Sequence, residues 1–398
     1  MIEPDSALSD FPVQRTCPFA PPPQYETWRK ESPVKRVRLR NGTEGWVVTR
    51  HEDLRHVLSS FDFSTKPSEA KLRPGVVVAH GEDTNLLYMD QPMHSNFRRM
   101  LVREFSAKRV NELRPELQAI VDERIDAMIR VGGPLDLVEA FCLPIPSMAI
   151  CQLIGVPWAQ HETFEKWASI LTDMTADPGV FASTLSDFND YVDEVVRGKS
   201  VEPGDDILSR LVTTRVRDGQ MTHDQVVGFA MLLLIAGHET TATQLGMGFL
   251  LAQENPEVLQ VAGDPEKHWA GVVEEMLRVA SISDVIPIRT SLKDQTIAGV
   301  EIKKGEAVIS LLAGANFDPE VFPEPRKFDP GRTNTDHVAF AHGLHSCLGQ
   351  SLARAELFIS YSRLFERLPD IRLAVPMDEI EYKHGQFTFG PVSLPVVW

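Results

Sequence analysis

The 398-residue chain is 43% apolar and 24% charged, a globular composition that argues against disordered and fibrous classes. Its 40 Lys and Arg against 56 Asp and Glu leave a net charge of −16, so the summed field repels nucleic acid and anionic membrane surfaces. Cys17, Cys142, Cys151 and Cys347 are scattered without a C-x-x-C pair, which suggests neither a disulfide framework nor a zinc cluster and fits a reducing compartment. The opening Met1-Ile2-Glu3-Pro4-Asp5 lacks the apolar run of a signal peptide. The apolar stretch Val226–Ala236 is shorter than the ~20 residues of a membrane span. A cytoplasmic protein that engages neither membrane nor nucleic acid is the expectation.

Residues 1–30, with Pro21-Pro22-Pro23, read as an extended surface segment. Val34–Leu39 and Gly45–Thr49 read as strands joined by Asn41-Gly42, a hairpin signal. Helical patterns follow at Glu52–Leu58, Phe97–Phe105, Leu113–Met128, Ile145–Leu153 and Phe181–Val196, with a long loop from Phe61 to Asp90. Thr222-His223-Asp224-Gln225 is a capping box that opens an apolar helix running past Leu250. That helix is apolar nearly all round in its first half, as a helix through a core is, so polar residues inside it need a reason. Gly271–Val279 reads as a short helix, Ile286–Arg289, Thr296–Ile302 and Ala307–Leu311 as strands, Asp318–Pro330 as a Pro-rich meander, and Gly349–Arg367 as the last helix. The expected fold is mainly α: a single domain over 1–398, with a long central helix and small peripheral β-sheets.

Phe340-Ala341-His342-Gly343-Leu344-His345-Ser346-Cys347-Leu348-Gly349 runs directly into the last helix. A lone cysteine there meets backbone N–H groups and the positive end of the helix dipole, both of which stabilise thiolate. Gly343 permits a tight turn, and Gly349 lets a flat body approach the backbone. One thiolate without a second protein ligand suits a haem iron, whose equatorial ligands come from the macrocycle. Taken alone, Cys347 reads first as a buried structural thiol.

The pattern Phe-x-x-Gly-x-His-x-Cys-x-Gly resembles the haem-binding signature of the cytochrome P-450 superfamily, and the chain looks like its soluble bacterial members. The resemblance makes Cys347 the axial ligand of haem b. It puts Phe340 near the sulfur and Leu348, Gly349 and Ala353 toward the macrocycle. Ala341 departs from the family's usual Gly, a change expected at the outer surface of the loop. Glu275-Met276-Leu277-Arg278, with Phe328-Asp329-Pro330-Gly331-Arg332 downstream, resembles the family's structural triad of Glu275, Arg278 and Arg332, which would lock the cysteine loop. Asp90 to Arg99 resembles the segment in which His94 and Arg98 hold a haem propionate, with Arg289 and His345 completing the set. Ala315-Asn316-Phe317-Asp318-Pro319 in the meander matches as well, so the resemblance spans nearly the whole chain.

Ala236-Gly237-His238-Glu239-Thr240-Thr241, in the middle of the long helix, resembles the family's oxygen-activating segment. Gly237 would leave room for oxygen and water, Thr240 would hydrogen-bond the bound oxygen, and Glu239 would feed protons in. The alternative for Thr240 is a bond back to a carbonyl one turn earlier, common for mid-helix Thr.

The resemblance implies a monooxygenase that uses O2 to oxidise, chiefly hydroxylate, a medium-sized organic molecule of bacterial secondary metabolism. Electrons would come from a ferredoxin and its reductase, which would dock on a local basic patch drawn from Arg98, Arg99, Arg103, Lys108, Arg109 and Arg354. The pocket would be lined by Leu86, Leu87, Leu233, Ala236, Val285, Ile286, Ile288 and Phe387. Asp284 would either anchor a substrate amine or hydroxyl or point outward. Oxidative coupling, C–N bond formation and desaturation share every motif. A peroxygenase would replace Glu239 and Thr240, and a haem-binding or partner-recruiting domain without turnover would not need them.

Overall fold

The computed structural model describes residues 8–66, 81–261, 263–283 and 285–398, which fall into two compact units. The first contains the described residues of 1–74 with Leu277–Phe328 and Thr333–Cys347; the second contains those of 75–276 with Asp329–Arg332 and Leu348–Trp398.

The first unit is built on a six-stranded sheet in the order Ser9–Phe11, Val34–Leu39, Glu44–Val48, Ala307–Ser310, Ile288–Ser291 and Phe63–Ser64. The Asn41-Gly42 turn joins its antiparallel pair, in which Arg36 lies opposite Trp46; Glu44–Val48 then runs parallel to Ala307–Ser310, with Trp46 opposite Val308. Asn41 accepts from the backbone and hydroxyl of Thr43, while Gly42 supplies the positive φ of 79° that the turn needs. Two apolar clusters cover this sheet. One joins Val34, Val48, Leu54, Val57 and Leu58 to Val308, Leu312 and Val338; the other joins Phe11, Tyr25, Trp28, Val37, Val47 and Ile309.

The second unit is helical, built around His223–Glu254, whose 32 residues span about 48 Å at 1.5 Å each. Its capping box is formed: Gln225 N–H donates to Thr222 Oγ1 (3.2 Å) and Thr222 N–H to Gln225 Oε1 (2.9 Å). By length and composition this helix could cross a membrane, but 72% of its most apolar window is buried inside the protein. Helices Ala107–Val131, Pro144–Ile154, His161–Thr172, Pro178–Val201 and Gln350–Arg367 complete the unit's main layers. A small sheet pairs Pro395–Val397 with Arg372–Leu373 and Leu135–Asp136.

Several elements differ from the sequence reading. The N-terminal segment is not extended throughout: Ser9–Phe11 is a strand and Pro23–Glu31 a helix. Pro23 begins that helix, where a missing N–H costs nothing, and Tyr25 and Trp28 turn inward one turn apart. Thr296–Ile302 is two strands, Gln295–Ile297 and Val300–Ile302, because Ala298 (φ 47°) and Gly299 (φ 81°) turn the chain back. The helix read from Leu113 begins at Ala107, capped by Ser106, and carries Pro115 in its interior. The segment read from Phe97 is a helix over Met93–Leu101. His161–Thr172 was missed as a helix.

Candidate active site

In the first unit, the segment ahead of Cys347 is fixed through its backbone. Cys347 N–H donates to Phe340 O (2.9 Å), Ser346 N–H to Gly343 O (3.0 Å) and Ala341 N–H to Val338 O (2.9 Å). Val338 N–H in turn donates to Asn316 Oδ1 (2.7 Å), and Asn316 Nδ2 donates to Ser281 Oγ (2.6 Å), which ties the loop to a buried polar chain. Gly343 has φ 72°, and a Cβ there would stand 2.5 Å from Leu58 O, so a side chain is excluded twice over. Ala341 takes the same left-handed region with φ 57°, and its methyl packs on the Val34–Val338 cluster rather than facing outward as the sequence suggested. Burial, then Arg55, holds the His342 imidazole below the usual histidine range. Cys347 itself is exposed, and His345 lies half-buried in the turn Gly343–His345.

The same unit holds Arg289 on the strand Ile288–Ser291, 6% exposed, with Nη1 donating to Ile288 O (3.0 Å). Val285 and Ile288 pack against the Tyr25–Trp28 cluster, whereas Ile286 is 42% exposed. Asp284 lies outside the described residues. Arg278, 1% exposed, donates to Asn316 O (2.9 Å), Pro325 O (2.9 Å) and Lys327 O (3.2 Å), with its guanidinium 5.5 and 5.4 Å from the rings of Phe317 and Phe322. These bonds satisfy carbonyls of the meander, a firmer use of the residue than a surface pair.

In the second unit, the central helix carries one accessible stripe through an otherwise buried body. Leu232, Ala236 and Thr240 are open to solvent to differing degrees, four residues apart and hence on one face. Thr240 Oγ1 donates to Ala236 O (2.7 Å), the back-bond expected of a mid-helix threonine. Gly237 is half-buried, and in the direction a Cβ would take it faces Ile150, whose Cγ1 would stand 3.0 Å away, so a side chain there would press on that neighbour. Glu239 is 4% exposed, and Lys383 Nζ donates to its Oε1 (2.9 Å). Lys383 is 144 residues away and was not foreseen, because no local pattern links the two positions.

His94 (1% exposed) and Arg98 share a face of Met93–Leu101, and Gln91 Nε2 lies 3.3 Å from His94 Nδ1. Leu86 and Leu233 are buried, Leu87 is 47% exposed, and Phe387 is half-buried with its N–H on Thr172 O (3.2 Å). Leu348, Gly349 and Ala353, at the start of Gln350–Arg367, are half-buried. Glu275 accepts from Arg332 Nε (3.2 and 3.3 Å) and from Asp329 N–H (3.0 Å), which clamps the end of the meander within this unit.

Each unit carries groups of the kind that iron protoporphyrin requires. The first has an exposed cysteine thiol on a tied loop, suited to a thiolate-ligated iron, with the cationic Arg289 and the imidazole of His345; the second has His94 and Arg98, again suited to carboxylates. The open stripe on a buried helix supplies apolar surface. Among the described residues, no three His, Cys, Asp or Glu side chains gather into an all-protein metal site.

Residues 270–370 match the family model for cytochrome P450. Pentalenic acid synthase of Streptomyces avermitilis is 40% identical over all of both chains. The structure of CYP105P1 in complex with filipin I superposes with a TM-score of 0.92 at 36% identity, covering 98% of this chain and 99% of that one. The mycinamicin VIII C21 methyl hydroxylase MycCI of Micromonospora griseorubida, bound to mycinamicin VIII, gives 0.92 at 33% identity, covering 98% and 100%. The chain belongs to the cytochrome P450 family and is a haem-thiolate monooxygenase that oxidises a small molecule with O2 and electrons from a redox partner.

Proposed function

We propose that the chain works as one cytoplasmic catalytic domain in which Cys347 supplies the axial thiolate and the substrate is a medium-sized organic molecule of bacterial secondary metabolism, most simply hydroxylated. The observation that carries the assignment is the backbone-fixed loop ending at an exposed Cys347, with the left-handed pair Ala341 and Gly343 inside it. Haem bound through thiolate supplies the oxidising power, since thiolate donation favours O–O cleavage.

The protein's own contribution is placement and proton traffic. His94, Arg98, Arg289 and His345 would hold the propionates, while Phe340, Gly343, Leu348, Gly349 and Ala353 border the macrocycle. Thr240 presents a hydroxyl on the open stripe of the central helix, and Glu239 is the carboxylate that brings protons toward it. The apolar turns before Ala236 keep bulk water out of that path. Leu86, Leu87, Leu233, Ala236, Val285, Ile286, Ile288 and Phe387 are the proposed substrate contacts. The different compounds named for the relatives fit one scaffold with variable lining.

The electron donor on this reading is a ferredoxin with its reductase. Arg99, Arg103 and Lys108 are exposed cations suited to meet it, whereas Arg109 is drawn to Glu112 (3.3 Å) and Arg354 is forked onto Glu274 (2.6 and 3.1 Å), which weakens their part in the patch.

The test is the absorption spectrum of the reduced, carbon-monoxide-treated protein. Wild type should give the red-shifted Soret band of thiolate ligation, and Cys347→Ala should lose it while keeping its helical circular dichroism. A red-shifted band that survives in Cys347→Ala would remove the assignment.

A further inference from the structure

We propose that Arg15 is a positioning residue for the axial ligand, holding the cysteine segment in place from the N-terminal region through Ser281 and Asn316. The proposal rests on the reading of Cys347 as the haem ligand.

An arginine in a proline-rich terminal stretch reads as a solvated side chain, yet Arg15 is 8% exposed. The elements on either side bring it inside. Ser9–Phe11 pairs with Val37, Arg38 and Leu39 as a strand, Pro23–Glu31 is a helix, and Phe11, Tyr25 and Trp28 belong to one buried cluster. The stretch between them is therefore fixed at both ends. From it, Arg15 Nη2 donates to Ser281 O (2.6 Å), just past the end of the helix Pro265–Val279. A second arginine of the same region, Arg29, is equally buried and donates from Nη1 to Gly314 O (3.1 Å). The two guanidinium groups thus grip the two segments that carry Ser281 and Asn316.

Those two side chains form the link to the cysteine segment. Val338 N–H can only donate, so it requires Asn316 Oδ1 opposite it (2.7 Å) and leaves Asn316 Nδ2 to donate to Ser281 Oγ (2.6 Å). Ser281 Oγ in turn donates to Arg278 O (3.0 Å), and Arg278 Nη1 donates to Asn316 O (2.9 Å), which closes a ring of buried hydrogen bonds. Beyond Val338 the order passes along the main chain, with Ala341 N–H on Val338 O and Cys347 N–H on Phe340 O. Arg15 meets the carbonyl of Ser281 and not its hydroxyl, so it fixes the backbone from which the hydroxyl is presented. Removing the guanidinium takes a charged donor from a buried carbonyl, a loss that the segment relieves by moving toward water. That movement draws Ser281 Oγ from Asn316 and loosens the amide that holds Val338. A thiolate ligand needs a fixed loop, so the loss is read at the sulfur.

The experiment uses the haem-containing protein, reduced and treated with carbon monoxide, at a temperature below the unfolding transition of every variant. It follows the red-shifted Soret band as thiolate ligation is lost. Arg15→Met should lose the band about tenfold faster than wild type, the factor for taking a charged donor from one buried carbonyl. Arg15→Lys, whose ammonium can still donate to Ser281 O, should stay within about twofold of wild type. Ser281→Ala, which keeps the carbonyl and removes the hydroxyl, should also speed the loss. Adding Arg15→Met to it should contribute less than it does alone, since both act through one chain. Val192→Ala, which opens a cavity in the helix Pro178–Val201 of the second unit, should lower stability to urea and leave the band as lasting as in wild type. An Arg15→Met that keeps its band like wild type, additive effects in the double variant, or equal acceleration in Val192→Ala would each overturn the role of Arg15. Where Arg15→Met does not fold, Ser281→Ala decides by itself, and a band as lasting as in wild type overturns the chain. Wild-type protein without a red-shifted band would remove the Cys347 reading itself, and the positioning role with it.

Discussion

The cysteine segment and the middle of the central helix are held by different means. Phe340 to Cys347 is secured by main-chain bonds, two left-handed residues and an apolar cluster beneath Ala341. At Gly237 to Thr240 the helix is regular, and the functional side chains are held by single contacts: Thr240 on Ala236 O and Glu239 on Lys383. A segment fixed through its backbone has one geometry and gives it up only at large cost. A side chain held by one hydrogen bond or ion pair has two settings separated by little energy, as a proton carrier requires and a metal ligand does not. Substitutions that oppose the backbone geometry of the first region should therefore be large and structural, and those in the second should act on rates.

The largest effect should come from Gly343→Ala. The added methyl must occupy a left-handed φ and also displace the Leu58 carbonyl from 2.5 Å, two penalties that together reach about 3 kcal/mol. Urea unfolding at neutral pH measures this directly. A loss under about 1 kcal/mol would mean that the loop moves aside freely, and the contrast with the central helix would disappear.

The difference between the two regions also explains what could be read from sequence. The cysteine segment is legible because its devices are local: Gly343, His345 and Cys347 stand at fixed spacings in one decapeptide. The capping box at Thr222 was legible for the same reason. Lys383 was not, since its partner is distant in the chain and any of the 40 Lys and Arg is an equal candidate until the chain folds. Pro23 misled because proline reads as a breaker, whereas it begins a helix. Ala341 misled in another way: its spacing marked a departure from Gly but gave no sign that the methyl would find a core to pack on.

A smaller effect separates stability from pH. Glu356 is 2% exposed on Gln350–Arg367, its Oε2 has no hydrogen-bond partner among the described residues, and burial pushes its carboxyl up to about 8. Since the unfolded group titrates near 4.5, the folded protein binds the extra proton between those values. Raising the pH through that window therefore removes stability, and the full cost is present once the pH exceeds the folded value. Glu356→Gln should flatten this dependence and be more stable than wild type at pH 8.5, with little difference at pH 5. Parallel urea curves for the two proteins across that range would show that Glu356 reaches water or a partner.

The smallest effect is the most discriminating for the cysteine segment. An alanine at φ 57° costs about 1 kcal/mol relative to glycine once the freedom of the unfolded chain is counted. Against this, the Ala341 methyl packs on the cluster formed by Leu58, Val308 and Val338, and burying one such group returns up to about 0.8 kcal/mol. Ala341→Gly should therefore change stability by less than about 0.5 kcal/mol, strain relief and lost packing nearly cancelling. A gain above about 1 kcal/mol would show that the methyl adds nothing to the core and that the loop carries uncompensated strain. A near-zero change, set beside a large loss in Gly343→Ala, would show that one left-handed position in this loop accepts a methyl because it points into a core, while the other refuses it because it points at the Leu58 carbonyl.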